Sequence, residues 1–236
     1  MKTIILALAL IAVISPILAA QSKVLIVFAH QEPQSFCASV RNRVFQTLVM
    51  KGHDVRVSNL VQMNMILSVD RTDFTEAFDP TYFHPQLEQL AANKKNRATF
   101  SKELRFEHDK VEWADTLLLV FPYYVMYLPS IIKSWMERVF SYGFAYGEGH
   151  SLKGKKVMMM YTTGADQEYL KNIEIQFWET VNGVFNFMGM TMYKPFCAYG
   201  VAHKSADERK AYLDEADAIA ADLDNRAPYV STLLDS

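Results

Sequence analysis

A short apolar run with a clear boundary at each end is the feature that most constrains the fold of this chain. Residues 116–121 (TLLLVF) are long enough for one strand, and Asp115 precedes the run while Pro122 follows it. Because the run has no polar alternation, we expect a strand that is buried on both faces. Pro129 suits the first position of a helix, and apolar residues recur every three or four positions from 131 to 140. The unit is therefore a strand, a loop and a helix.

The loop of this unit, residues 122–128, is crowded with aromatic side chains that follow neither helical nor strand periodicity. Ligands of open parallel sheets bind in the crevice beyond the carboxyl ends of the strands, so this loop is the first candidate site. Its aromatic side chains suit a flat ligand, although an apolar loop covered by a second copy of the chain has the same composition. The candidate residues are Pro122, Tyr123, Tyr124, Val125 and Met126.

The rest of the chain repeats the alternation of strand and helix. This alternation predicts one α/β domain with a doubly wound, five-stranded parallel sheet and helices on both faces. Residues 60–96 are too long and irregular for a simple crossover, and we expect them to lie over the sheet as an excursion. The predicted strands are 23–29, 53–59, 116–121, 157–162 and 192–198, and the predicted helices are 36–52, 100–113, 129–140, 175–188 and 206–223.

Charge and cysteine content argue against nucleic-acid binding and against a metal site or disulfide scaffold. A net charge of -2 without any basic cluster argues against nucleic acid as the main partner, because phosphate binding requires a surplus of Lys and Arg. The two cysteines, Cys37 and Cys197, lie far apart and have no CxxC or histidine spacing. We therefore expect buried free thiols, with no metal site and no disulfide scaffold.

The N-terminal segment has the layout of a secretory signal. Lys2 precedes an apolar run over residues 3–14, and the small residues Ala19 and Ala20 suit a cleavage site. We predict a signal peptide over 1–20, a mature domain over 21–236 and export to a secretory compartment or the exterior. The apolar run is too short to span a bilayer comfortably, so no stable membrane insertion is expected after cleavage. An uncleaved anchor is the alternative.

Two further loops follow predicted strands at the same edge of the sheet. The first, HQEPQSFC (30–37), has no glycine and so lacks the GxGxxG fingerprint. Ser35 is a plausible N-cap whose hydroxyl and neighbouring amides could hold a phosphate or pyrophosphate, but an ordinary capped helix explains the loop equally well. The second loop has small residues at 162–165, which let backbone amides approach a ligand closely, and Tyr169 follows. With a strand order of 2-1-3-4-5, the three loops converge in the arrangement that holds flavin.

Four stretches carry a family resemblance: AHQEPQSF (29–36), VFPYYVMYLPSIIKSWMERVFSYGFAY (120–146), TTG (162–164) and AYGVAH (198–203). From residue 23 to the last helix the chain resembles the NAD(P)H dehydrogenase (quinone) family, flavodoxin-like FAD proteins. The resemblance implies a homodimer that binds FAD and takes a hydride from NAD(P)H onto flavin N5. After the oxidised nicotinamide leaves, the hydride would pass to a quinone in the vacated pocket, which is a ping-pong order.

The resemblance also implies which residues contact the cofactor. Two of them depart from the family pattern, since Cys37 replaces a usual asparagine and Val125 replaces a common tryptophan. The first change weakens one polar contact, and the second leaves a roomier pocket. The residues matched to cofactor contacts are His30, Ser35, Phe36, Cys37, Pro122, Tyr123, Tyr124, Val125, Met126, Thr162, Thr163, Gly164 and Tyr169.

The catalytic residues implied by the resemblance are Tyr169 and the amide of Gly164. Tyr146 matches a tyrosine that lines the substrate pocket from the dimer partner. Some family members have a histidine six positions after the active-site tyrosine, where this chain has Ile175. Either Tyr169 and Gly164 suffice for stabilising charge on the reduced flavin, or activity is lower than in members with the histidine.

Other functions remain open from the sequence alone. Some relatives are flavin-binding regulatory subunits of membrane transport systems, and an FMN-dependent azoreductase-like enzyme would share the fold. A third alternative is a degenerate domain that has lost the flavin, against which the aromatic loop and the TTG segment argue. Cytoplasmic location is the family-based alternative to export, because NAD(P)H is scarce outside the cytoplasm.

Overall fold

The computed structural model describes residues 21–231. The segment 1–20, for which a signal peptide is predicted, lies outside the described residues, as do the last five residues of the chain. Within the described residues, no helix is long and apolar enough to cross a membrane. The strands are β1 (Lys23–Phe28), β2 (Asp54–Asn59), β3 (Thr116–Pro122), β4 (Lys156–Thr162), β5 (Thr191–Met192) and β6 (Phe196–Ala198), and the helices are α1 (Phe36–Met50), α2 (Pro85–Lys94), α3 (Lys102–Trp113), α4 (Ser130–Val139), α5 (Gln167–Phe187) and α6 (Ala206–Ala221).

The strands form one parallel sheet in the order β2-β1-β3-β4-β5, and β6 also pairs with β4. The predicted order 2-1-3-4-5 is therefore confirmed. The predicted fifth strand, 192–198, is divided into β5 and β6, which pair with the two ends of β4. Pro195 lies between these two short strands and has no N–H to donate to a ladder, which accounts for the interruption.

Two apolar layers sandwich the sheet. On one face, side chains of β1, β3 and β4 pack against α3, α4 and α5, and on the other face they pack against α1 and α6. Every residue of β3 is buried, so its continuous apolar sequence reflects contact with both layers, as predicted. The thiols of Cys37 and Cys197 are free and buried, which confirms the expectation for the two cysteines.

Two helices differ from the sequence-based expectation. Helix α2 lies inside the region 60–96, where Pro85 occupies its first turn, and the prediction of an irregular excursion was incomplete there. Helix α5 begins at Gln167, well before the predicted start at residue 175. The first eight residues of α5 are mostly exposed, with only Leu170 and Glu174 buried, so this part of the helix shows no apolar periodicity in the sequence.

A buried ion pair ties the excursion to the sheet layer. The Arg138 guanidinium on α4 donates to the Asp73 carboxylate, at 2.9 Å from Nε and 2.7 Å from Nη2. Both side chains are almost fully buried. Burial raises the pKa of Asp73, and the Arg138 guanidinium acts in the opposite direction. Since removing one partner would leave a buried charge without compensation, this pair fixes the excursion against α4.

Candidate active site

Three loops meet at the carboxyl edge of the sheet, as the strand order requires. The first follows β1, the second follows β3 and the third follows β4. The amide of Ala29 donates to the Val120 carbonyl at 3.1 Å, and the amide of Tyr123 donates to the Thr162 carbonyl at 2.8 Å. The candidate residues that these loops carry are thus adjacent in space, with the β3 loop between the other two.

The first loop leads directly into α1. Ser35 is the N-cap of this helix, and its hydroxyl accepts a hydrogen bond from the Ala38 amide at 3.1 Å. The His30 ring accepts from the Glu32 amide through Nδ1 at 2.9 Å, and burial lowers the pKa of the imidazole. The loop therefore presents a helix N-terminus, a setting that favours an anionic group.

Cys37 links the first and third loops. Its side chain is buried and lies within hydrogen-bond distance of the Thr162 side chain. Burial raises the pKa of the Cys37 thiol to about 12, so the thiol stays protonated at neutral pH. A protonated, buried thiol is a poor nucleophile, and the role of Cys37 is to pack between the two loops.

The second loop makes a tight turn at its tip. Tyr124 and Tyr127 exchange backbone hydrogen bonds of 3.2 and 2.9 Å, and the two residues between them have left-handed backbone angles, with φ of 48° at Val125 and 58° at Met126. A β-branched residue in this region is unusual and strained. The turn projects Val125 outward with 97% of its surface exposed, so this side chain is available to contact a ligand or a partner.

Tyr123 points away from the turn, into the protein. Its ring packs against Tyr161 and Phe177, with centroid separations of 5.3 and 5.0 Å. The hydroxyl is buried without a hydrogen-bond partner among the described residues. Burial raises the pKa of Tyr123 to about 12, and the nearby Glu174 carboxylate contributes to the increase. In this conformation, contact between Tyr123 and a ligand above the sheet would come from its backbone.

The third loop is held on one side by the segment that follows β6. The Thr163 amide donates to the Ala198 carbonyl at 3.0 Å, and the Val201 amide donates to the Thr163 carbonyl at 3.1 Å. Gly164 is exposed, and a Cβ placed on it would meet no atom within 4 Å. The space beside Gly164 is therefore open, so its amide can be approached by a ligand.

Tyr169 lies close to the third loop in the sequence, whereas Tyr146 lies outside the three loops. Tyr169 is in the first turn of α5, shortly after the third loop, and 64% of its surface is exposed. Tyr146 lies in the loop after α4, where its ring packs on Phe187 with centroids 5.8 Å apart. Tyr146 and Tyr127 both line a largely apolar cavity of about 550 Å³ between α4, α5 and the excursion.

The comparisons with known proteins agree with this geometry. A family model described as "Flavodoxin-like fold" matches residues 22–222. A mouse protein named "Ribosyldihydronicotinamide dehydrogenase [quinone]" is 35% identical over 206 residues, which is 82% of this chain and 88% of the relative. A guinea-pig (Cavia porcellus) protein named "NAD(P)H dehydrogenase [quinone] 1" is 34% identical over 83% of this chain and 75% of the relative. The chain belongs to the NAD(P)H dehydrogenase (quinone) family.

A solved structure supports this membership. The crystal structure of a candidate quinone reductase from Klebsiella pneumoniae superimposes with a TM-score of 0.82 and 26% sequence identity. The match covers 88% of this chain and 87% of that chain. The likeness thus extends over most of both chains.

The residues at this edge fit the flavin of the NAD(P)H dehydrogenase (quinone) family. A cavity of about 560 Å³ lies between the second loop and residues 61–67 of the excursion, and Gln31 of the first loop borders it. This volume is in the usual range for small-molecule sites, roughly 300–1,000 Å³. The open space at Gly164 lies beside the third loop, and the α1 N-terminus offers a position for phosphate. The edge therefore combines an aromatic and apolar loop with a helix N-terminus that suits an anionic group.

One group of residues near the site had no signal in the sequence analysis. The Glu174 carboxylate is buried beneath the third loop, where Tyr161 and Tyr199 donate hydrogen bonds to its two oxygens. The indole of Trp178 donates to the Tyr161 hydroxyl at 2.6 Å. Tyr199 belongs to the AYGVAH motif, which pointed to the family but not to this contact. Glu174 was not recognised because a helix beginning at residue 175 would have excluded it.

Proposed function

We propose that this protein is an NAD(P)H-dependent flavoprotein oxidoreductase that transfers a hydride through FAD to quinones or similar acceptors. The observation that carries the proposal is the meeting of the three loops, which brings an aromatic and apolar loop next to a helix N-terminus and to the exposed Gly164. Family membership supports the same reaction class. A bound flavin would supply the chemistry by accepting two electrons as a hydride and passing them on.

The protein's part in this reaction is to bind and to stabilise charge. The α1 N-terminus with Ser35 and His30 would hold the phosphates, and the turn at Val125 and Met126 would lie under the ring. The Gly164 amide and the Tyr169 hydroxyl would donate hydrogen bonds where negative charge develops on reduction. Donors that are already oriented toward such charge are an effective means of lowering a barrier.

The choice between FAD and FMN is part of the proposal. We infer FAD because the resemblance to the NAD(P)H dehydrogenase (quinone) family implies the dinucleotide form, and the cavity of about 560 Å³ beside Gln31 and Tyr124 adds room next to the three loops. Release of the cofactor by heat denaturation, followed by chromatography, tests the inference. FAD at about one per chain is the expected result, whereas FMN alone would place the protein with the azoreductase-like enzymes. A colourless protein that no flavin reconstitutes would favour the degenerate domain.

The proposed assembly is a homodimer in which Tyr146 lines the substrate pocket of the partner. The exposed side chain of Phe187 and the apolar cavity beside Tyr146 support an interface on this side of the molecule. Location remains a prediction, with export indicated by residues 1–20 and the cytoplasm as the alternative. N-terminal sequencing of the protein from its native source decides between a cleaved and a retained segment.

Steady-state turnover tests the proposed activity most directly. The holoenzyme is mixed with NADH or NADPH and with a panel of quinones, azo dyes and other two-electron acceptors. Rapid quinone reduction with parallel double-reciprocal plots is expected, because donor and acceptor would use the same pocket in turn. A flavin-loaded protein that turns over no acceptor would favour the alternative of a flavin-binding regulatory subunit.

A further inference from the structure

The strongest unexplained feature of the molecule is a carboxylate buried beneath the third loop. Only 4% of the Glu174 surface is exposed, and the side chain lies between α5 and the ends of β4 and β6. The Tyr161 hydroxyl donates to Oε1, and the Tyr199 hydroxyl donates to Oε2 at 2.6 Å. In the part of the chain that the structure describes, these partners are neutral, and no Lys or Arg forms an ion pair with Glu174.

This arrangement is costly for stability. Burying a carboxylate is strongly unfavourable, and neutral hydroxyl donors compensate less than a cation would. The surroundings are apolar, since Phe177, Leu170 and the Tyr161 ring belong to the same core cluster. A leucine at this position would join that cluster without the cost of burying charge, but it would leave the Tyr161 and Tyr199 hydroxyls without their acceptor. The presence of a glutamate therefore calls for a role other than filling the core.

The hydrogen bonds of Glu174 connect the two segments that frame the third loop. Tyr161 immediately precedes Thr162, with which the third loop begins, and Tyr199 immediately follows Ala198, with which Thr162 is in register. The amide of Gly200 then donates to the Ala165 carbonyl at 2.9 Å, on the far side of the loop. Glu174 thus lies below a loop whose two flanks it holds.

Glu174 is also one of two anchors for the start of α5. The N-cap Asp166 makes no side-chain capping hydrogen bond, and in the first eight helical residues only Leu170 and Glu174 are buried. Tyr169 lies five residues before Glu174, about one and a half helical turns away. A helix start that lacks a side-chain cap depends on such tertiary anchors, because its first amides have no partner within the helix.

We propose that Glu174 is a positioning residue that holds the third loop and the first turns of α5 as one rigid unit, so that the Gly164 amide and the Tyr169 hydroxyl are presented together to the flavin. The proposal rests on the proposed function, because it concerns the same site. The Glu174 carboxylate accepts hydrogen bonds from both flanks of the loop, and Glu174 itself belongs to α5.

The test compares three variants of the holoenzyme. Glu174→Leu removes the acceptor of the two hydroxyls, Glu174→Gln keeps one carbonyl acceptor without the charge, and Glu215→Gln is the control at an exposed position of α6. Hydrogen exchange of the backbone amides at 164–170 is measured by mass spectrometry, together with the melting temperature. Flavin reduction by NAD(P)H is followed by stopped flow.

Glu174→Leu is expected to exchange its amides at 164–170 about tenfold faster than the wild type and to melt at a lower temperature, because the local opening becomes easier and the Tyr161 and Tyr199 hydroxyls lose their acceptor. Glu174→Gln is expected to lie between Glu174→Leu and the wild type, and Glu215→Gln to match the wild type. A purely structural role would instead raise the exchange of β1 and β3 to the same extent as that of residues 164–170. Unchanged exchange in both Glu174 variants would overturn the proposal, and if the leucine variant fails to fold, the glutamine variant decides.

A double-mutant cycle with Tyr169→Phe provides the functional readout. If Glu174 acts by positioning Tyr169, replacing Glu174 slows flavin reduction about tenfold in the wild-type background and has little further effect when the Tyr169 hydroxyl is absent. Fully additive losses would mean that Glu174 does not act through Tyr169. A wild-type protein that binds no flavin would refute the proposed function, whereas the exchange measurement would still decide whether Glu174 holds the loop.

Discussion

Tyr169 is the single side chain on which the proposed chemistry depends most. It is exposed at the start of α5, directly after the third loop, and Ile175 cannot act as a second donor. We expect Tyr169→Phe to slow flavin reduction by NAD(P)H about a hundredfold, because the loss of one oriented donor costs about 3 kcal/mol. Stopped-flow measurements at full flavin occupancy test this, with Tyr82→Phe as a control of similar exposure outside the three loops. An unchanged rate would show that the Tyr169 hydroxyl has no part in the chemistry.

His108 gives the fold a specific sensitivity to acid. Its ring is fully buried between Phe100 and Phe144, and burial lowers the pKa of the imidazole to about 3. The unfolded chain binds a proton near pH 6.5 that the folded protein does not, so stability is complete above pH 6.5 and falls as the pH drops from there toward 3. At pH 5 the loss from this group is about 2 kcal/mol relative to pH 7.

Urea unfolding at pH 7 and pH 5 measures this contribution. His108→Leu removes the titrating group, so its free energy of unfolding is expected to fall by about 2 kcal/mol less than that of the wild type between the two pH values. His150→Leu, at an exposed position, serves as the control and should retain the wild-type difference. Equal pH dependence in all three proteins would contradict a neutral, buried His108.

At the scale of elements, α2 acts as a brace for the loop that carries Tyr146. The side chain of Gln89 is buried and bridges two backbone groups, accepting from the Tyr142 amide at 3.0 Å and donating to the Glu137 carbonyl at 3.1 Å. Asn93 donates to the Tyr142 carbonyl at 2.9 Å, one turn further along. The helix therefore fixes the chain just before Tyr146.

Gln89→Leu is expected to destabilise the protein by about 1–3 kcal/mol, because two buried backbone groups lose their partners. The loss should be largest locally, with faster hydrogen exchange or proteolysis at residues 141–147. Gln86→Leu, on the exposed side of the same helix, provides the matched control. If residues 141–147 remain protected from exchange and proteolysis in the Gln89 variant, other contacts hold this loop.

The strands and two of the helices show where prediction from the sequence succeeds and where it fails. The strands were predictable because buried parallel strands are uninterrupted apolar runs, as β1, β3 and β4 show. Helix α2 was missed because residues 60–96 were interpreted as an irregular excursion, although Pro85 suits the first turn of a helix. The start of α5 was placed too late because its exposed first turns have no apolar stripe.

At the scale of the whole molecule, one part of the candidate site could be predicted from the sequence and another could not. The position of the three loops could be predicted, since strand order alone determines which loops meet at the carboxyl edge. The direction of individual side chains could not. The Tyr123 ring lies in the core because it continues the inward alternation of Leu119 and Phe121 along β3, while Val125 projects outward from the left-handed turn that it forms with Met126. Glu174 was not identified because the predicted helix began one residue after it and because its partner Tyr199 is distant in the sequence.

The proposed homodimer would cover an exposed apolar patch beside the cavity that Tyr146 lines. Phe187, at the end of α5, is 71% exposed, and Leu67 of the excursion is 59% exposed on the other wall of the cavity that Tyr146 lines. In a twofold dimer each patch meets its own copy, so one substitution changes the interface twice. We expect the wild type to elute as a dimer and Phe187→Glu to elute as a monomer, because an unpaired charge buried at an interface costs several kcal/mol.

Size-exclusion chromatography with light scattering measures the mass of both proteins across a range of concentrations. Phe106→Glu is the matched control, since Phe106 on α3 is 56% exposed but does not line this cavity. If the pocket is completed by Tyr146 of a second copy, the Phe187→Glu monomer should retain flavin absorbance while its quinone turnover falls with its dimer fraction. A monomeric Phe187→Glu protein with full turnover would show that one chain forms the whole site, and a monomeric wild type would refute the dimer itself.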